Sequence, residues 1–123
     1  MTNNNKISFT KSFVCAFNGI LQTAKERNFK FEFVFMVFTI LLGLLLSISV
    51  IEWIVVILCF GLVLGGEVLN TALEAVVDLA SPEYHELARV AKDAAAGAVL
   101  IFSIASFVIG VLVFVPKLLS FIG

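Results

Sequence analysis

At 123 residues the chain is long enough for one compact domain and too short for two. Hydrophobic residues make up 61% and charged residues 14%, against about 45–50% and about 25% in soluble domains, so the solvent of this chain is lipid. Eight basic and nine acidic residues leave a net charge of -1, which excludes the cationic balance of a nucleic-acid binder.

After the Asn3 to Asn5 run, the apolar residues Phe9, Phe13, Phe17, Ile20 and Ala24 recur at helical spacing, while Lys11, Asn18, Gln22 and Lys25 share another face. That periodicity predicts an amphipathic helix over about 8–28, lying in the membrane interface. The uncharged stretch 33–51, bounded by Glu32 and Glu52, comes close to the roughly 20 residues that a helix needs to cross hydrocarbon. It predicts a first span over 31–51. No small-residue cleavage pattern follows, so this run is expected to stay in the mature protein. A second helix is expected over 52–79, because helical spacing continues past Glu67 through Asn70, Glu74 and Asp78. The uncharged run 94–116, closed by Lys117, predicts a third span over 91–117.

Irregular backbone cannot face hydrocarbon. The expected fold is therefore all-α and integral to the membrane, with an N-terminal interfacial helix and three transmembrane helices in a single domain, 1–123. The connection 80–90 is polar, and Ser81 is expected to cap a helix that opens at Pro82. Lys6, Lys11, Lys25, Arg27 and Lys30 precede the first span, none lies in the first turn, and Arg89 and Lys92 sit between the second and third spans. The positive-inside rule then places the N-terminus and the 80–90 connection in the cytoplasm and the C-terminus outside, with Lys117 alone against it.

Advancing about 100° per residue, Glu67, Asn70, Thr71, Glu74 and Asp78 fall on one face in the cytoplasmic half of the second span. Ionisable groups at membrane depth cost at least about 2.5 kcal/mol each and face a bundle interior or an aqueous cavity. The stripe is thus the candidate site. The competing reading is a helix that leaves the bilayer near Gly66 with solvated carboxylates, against which Ala72, Leu73, Ala75, Val76 and Val77 keep the other side apolar. Carboxylates gathered on one face need a cation, either magnesium (Mg2+), which favours carboxylate oxygens, or a lysine. Lys92, beside Asp93 where the third span opens, can reach a phosphate or a stripe carboxylate, or simply snorkel. Glu26, at the end of the interfacial helix, lies near the membrane level of Glu74.

Gly61 and Gly65 form a GxxxG spacing opposite the stripe, and residues 94–98 are all Ala or Gly; bundle packing is their expected meaning. Cys15 and Cys59 carry no paired motif and read as apolar packers. No phosphate-binding GxxxxGK[ST] loop occurs, and His85 is the only histidine, so nucleotide chemistry would have to use another scaffold. A transporter or channel subunit would need polar residues through the outer leaflet, where 33–51 and 100–115 offer only isolated Ser and Thr. A purely structural subunit would tolerate Ala, Leu and Gln along the stripe.

Segment 67–100, EVLNTALEAVVDLASPEYHELARVAKDAAAGAVL, carries ExxNxAxExxxD, then EYHEL, then AKDxxxxAV. It resembles the signature of small bacterial membrane kinases, the prokaryotic diacylglycerol kinase and undecaprenol kinase family. Agreement extends to Phe9-Thr10-Lys11 and to Glu26, Phe29 and Glu32. The resemblance implies a homotrimer that moves the terminal phosphate of ATP, with magnesium, onto a lipid alcohol at the cytoplasmic interface. It implies Glu67 as general base, Glu26 and Glu74 as magnesium ligands, and Asn70 as a polar active-site residue. Lys92 and Asp93 match the nucleotide-contacting pair, and Glu83, Tyr84 and His85 match the stretch that contacts the nucleoside. Phe29 and Glu32 are implied lipid contacts. Lys11 stands at a phosphate-contact position, although its spacing to Glu26 is shorter than in the diacylglycerol enzymes. The ERNF run, the VIEW turn and the Val115-Pro116-Lys117 end look more like the undecaprenol branch, which implies undecaprenol as acceptor and diacylglycerol as the alternative.

Overall fold

The computed structural model describes residues 8–123; Lys6 and the Asn3 to Asn5 run lie outside them. Four helices follow in chain order, α1 (Phe9–Thr23), α2 (Arg27–Leu46), α3 (Val50–Ala80) and α4 (Glu86–Ile122), with no strand among the described residues. Helices α2, α3 and α4 are long and apolar enough to cross a membrane. At about 1.5 Å per residue, the 31 residues of α3 and 37 of α4 exceed roughly 30 Å of hydrocarbon. Their ends therefore extend into the headgroup region.

Local chemistry sets the helix limits. Ser8 caps α1, its hydroxyl accepting the Lys11 N–H at 3.1 Å. The helix expected over 8–28 is in fact interrupted: α1 stops at Thr23, and Arg27 and Asn28 already belong to the first turn of α2. Glu26, in extended backbone, forms the corner between them. At the other end of α2, Ser47 takes the left-handed conformation (φ 53°), and the Ile48 N–H returns to the Gly43 carbonyl at 3.2 Å. Ser49 and Glu52 then cap α3 reciprocally, at 3.2 Å and 2.8 Å. The Trp53 ring lies over Gly43, where a Cβ would come within 2.7 Å of it.

The connection from α3 to α4 is shorter than expected, spanning only 81–85. Ser81 ends α3, and its hydroxyl donates to the Glu83 carbonyl at 2.9 Å. Pro82 does not open α4. The N-cap is His85, whose Nδ1 accepts the Leu87 N–H at 3.0 Å in the role more often taken by a serine or threonine hydroxyl. Arg89, Lys92 and Asp93 thus ride the opening turns of α4. That helix also runs on through Pro116 to Ile122, since a proline removes one hydrogen bond without ending so long a helix. Beside it, Lys117 pairs with Glu52 at 3.5 Å, at the end of the bundle away from Lys92.

Helix α3 is the hub, packing along α4 and also against α1 and α2. Its buried positions are Val56, Cys59, Val63, Gly66 and Glu67, met by Ala95 and Phe114 from α4. Most large apolar side chains instead point outward, as expected where lipid is the solvent. The close approach of α3 to α4 occurs at Gly66, where a Cβ would lie 2.9 Å from the Phe102 ring. Around Gly61 and Gly65, the expected packing pair, such a Cβ would meet nothing within 4 Å among the described residues beyond the helix's own neighbouring backbone. Register explains the difference, because Gly66 is turned about 100° from Gly65 around the helix. Gly66→Leu is expected to destabilise the chain by about 1–3 kcal/mol through overpacking, read as a lower unfolding midpoint in detergent. An unchanged midpoint would contradict the contact.

Candidate active site

The polar stripe of α3 is met by two other parts of the chain, the corner between α1 and α2 and the opening turns of α4. Its deepest member is Glu67, only 3% exposed and the one buried charged residue among those described. A helix simply emerging into water would not leave it so. Glu32 of α2 brings its carboxyl against Glu67 and toward the Ser103 hydroxyl of α4. One oxygen of Glu32, Oε1, is buried without a hydrogen-bond partner. From the Glu32 carboxyl an apolar groove of about 410 Å³ runs between α2, α3 and α4, past Phe35, Thr39, Phe60 and Phe107 to Phe114. A polar head is thereby joined to an apolar channel at membrane depth, the shape of a lipid alcohol.

One turn further along α3, the Asn70 amide donates to Glu74 Oε2 at 3.3 Å, and the Thr71 hydroxyl donates to Glu26 Oε2 at 3.3 Å. The second contact spans 45 positions of sequence and ties the α1–α2 corner to the stripe. Glu26 and Glu74 are thus anchored to adjacent residues of one helix. Between them Asn70 Oδ1 is a buried acceptor with no donor. No group of three His, Cys, Asp or Glu side chains surrounds a common metal position among the described residues. Two carboxylates and an unpartnered amide oxygen nevertheless suit magnesium, which binds one or two protein carboxylates and completes its shell with phosphate oxygens and water.

At the outer end of the stripe, Lys92 of α4 pairs with Asp78 at 2.6 Å. Of the partners left open by the sequence, the free chain thus selects a carboxylate. Asp93 instead accepts from Arg89 at 2.8 Å, and Arg89 also pairs with Glu86. Tyr84 donates its hydroxyl to Glu86 at 2.8 Å, and Glu83, Tyr84 and His85 all lie exposed in the connection beside these charges.

Two expected site residues stand apart. Lys11 is exposed on the first turn of α1, and among the described residues its side chain makes no hydrogen bond or ion pair. Phe29 is buried at 7% exposure, but it lines a second apolar groove with Phe17, Phe33 and Gly61, separate from the groove that Glu32 lines. Conversely, Ser103, beside Glu32 and lining its groove, has no motif that marks it in the sequence. Its one signal is a hydroxyl inside the uncharged run 94–116, in helical register with Ser106, Phe107 and Gly110 of the groove.

A family profile described as prokaryotic diacylglycerol kinase matches residues 14–114, which include every candidate residue except Lys11. The chain belongs to this family. It is 48% identical over 111 residues to the undecaprenol kinase of Bacillus subtilis, covering 89% of this chain and 90% of that relative. Identity to the diacylglycerol kinase of Synechocystis is 44% over 111 residues, covering 89% of this chain and 63% of the relative. To the diacylglycerol kinase of Escherichia coli K12 it is 35% over 102 residues, 80% and 84% of the two chains. Membership in a kinase family supplies ATP as co-substrate, and the three apolar helices make the chain a membrane protein.

Proposed function

We propose that the chain, as a single membrane kinase domain, transfers the terminal phosphate of ATP to the hydroxyl of undecaprenol at the cytoplasmic face of the membrane. The observation that carries this reading is Glu67, almost fully buried where an apolar groove meets the carboxyl of Glu32. A lipid hydroxyl entering from that groove would meet a proton acceptor without leaving the bilayer. Glu67 takes the hydroxyl proton as the lipid oxygen forms its bond to the γ-phosphorus, and ADP departs with the electrons of the broken P–O bond. Glu26, Glu74 and the Asn70 amide oxygen would hold magnesium, whose chemistry is to neutralise phosphate oxygens. Lys92 adds positive charge from α4, and the exposed Glu83, Tyr84 and His85 lie where a nucleoside would extend toward water. Phosphoryl transfer asks mainly for such positioning and neutralisation.

The remaining features fit the same arrangement. Phe9, Phe13 and Phe17 are exposed on α1, as an interfacial helix requires. A cytoplasmic N-terminus puts the stripe on the ATP side, and Lys117, the exception to the positive-inside rule, is paired with Glu52. One chain leaves the stripe open along its flank, so a homotrimer would complete each site with a neighbouring copy. Undecaprenol is preferred over diacylglycerol because identity to the B. subtilis relative is 48% over 90% of its length, against 35% over 84% for the E. coli diacylglycerol kinase. The test is to incubate purified protein in lipid with labelled ATP and magnesium, offering both alcohols in parallel. Label is expected chiefly in undecaprenyl phosphate. Label chiefly in phosphatidate would overturn the acceptor, and label in neither would overturn the kinase reading.

A further inference from the structure

Asp78 closes the stripe, yet the reaction outlined above gives it no part. Its Oδ1 lies 2.6 Å from Lys92 Nζ, and the two side chains are 65% and 42% exposed. An ion pair so open to solvent adds little stability, and the α3–α4 hairpin is already held by Gly66 against Phe102 and by buried Ala95. What the pair does achieve is to fix one long, flexible side chain in one place. Lys92 also feels the carboxylate of Glu74, the other anion of the ridge within its range. Without Asp78, the ammonium would be drawn toward Glu74, where it competes for an oxygen that the proposed metal requires. With Asp78 present, it stays one turn further out. An ammonium has three donors, so Lys92 can keep one on Asp78 while the others meet phosphate oxygens.

We propose that Asp78 is a positioning residue that holds Lys92 at the outer end of the ridge, away from Glu74, so that its charge meets the phosphate being transferred. This rests on the kinase reading. Removing the anchor misplaces a charge that matters most in the transition state, so the loss falls on kcat more than on KM for ATP. Merely clipping two helices together would instead affect stability and leave the turnover of folded protein alone.

The test is steady-state kinetics of the full chain in lipid with ATP titrated. Asp78→Asn is expected to lower kcat by about tenfold or more with KM for ATP changed less than about threefold, and Asp78→Glu should restore most of the turnover. In a Lys92→Met background, Asp78→Asn should add no further loss. Wild-type kcat in Asp78→Asn overturns the proposal. So does a loss that follows a lowered unfolding midpoint and is not restored by Glu, or one that multiplies with Lys92→Met. An inactive wild-type chain fails differently: the kinase reading itself falls, and the role of Asp78 with it.

Discussion

Glu67→Gln is expected to abolish lipid phosphorylation, with a fall of about 10²–10⁴-fold from loss of general-base catalysis alone, while assembly and ATP affinity stay near those of the wild type. The amide matches the carboxylate in shape and can occupy the same enclosed place between α2 and α4, where Glu67 is 3% exposed. It cannot accept a proton. A buried neutral amide also presents an N–H toward Glu32, whose Oε1 lacks a partner, so the packing has no reason to fail. The measurement is kcat with saturating ATP and lipid alcohol, accompanied by ATP binding and the size of the detergent-solubilised complex. Retained turnover would contradict the assignment. Because Glu32 faces Glu67, the parallel Glu32→Gln variant separates the two: were Glu32 the base, it would carry the larger loss.

Much of this arrangement is legible in the sequence because it depends on period and hydropathy. Uncharged runs near the length of a bilayer crossing give α2 and α4, while helical spacing carries α3 past Glu67 and aligns Glu67, Asn70, Thr71, Glu74 and Asp78. What escapes such reading is decided by partners remote in the chain. Nothing in Lys25-Glu26-Arg27 resembles a turn signal, yet the helix breaks there as Glu26 reaches Thr71, 45 positions away. Local rules also compete: Ser81-Pro82 has the form of a helix start, but the Ser81 hydroxyl bonds to Glu83 and the imidazole of His85 caps α4. A GxxxG pattern identifies small residues without fixing which one meets a neighbour, and the contact with Phe102 falls to Gly66. That Phe29 and Glu32, neighbours on α2, line two separate grooves follows from how α2 is rotated against α3, a property of the packed bundle.

Glu26→Gln and Glu74→Gln are expected to impair the enzyme in a different manner, by raising the magnesium concentration needed for half-maximal activity. Outer-shell partners of metal ligands are worth about 10–100-fold in metal affinity, and a direct ligand should cost at least that much. Each Gln retains an oxygen that can accept the hydrogen bond now made by Thr71 or Asn70, so the corner between α1 and α2 and the local geometry of α3 should persist. What disappears is the negative charge. The two sites come from separate elements, Glu26 from the corner and Glu74 from the stripe, and a shared ion makes their effects interdependent. Once one carboxylate is lost, removing the second should cost less than the product of the single losses. Magnesium titrations of both single variants and the double variant measure this directly. Glu67→Gln supplies the contrast, since a base that does not hold the ion should lose turnover with its magnesium midpoint unmoved. Unshifted midpoints in Glu26→Gln and Glu74→Gln would show that these carboxylates do not hold the metal, leaving the unpartnered Asn70 oxygen to be explained by another donor.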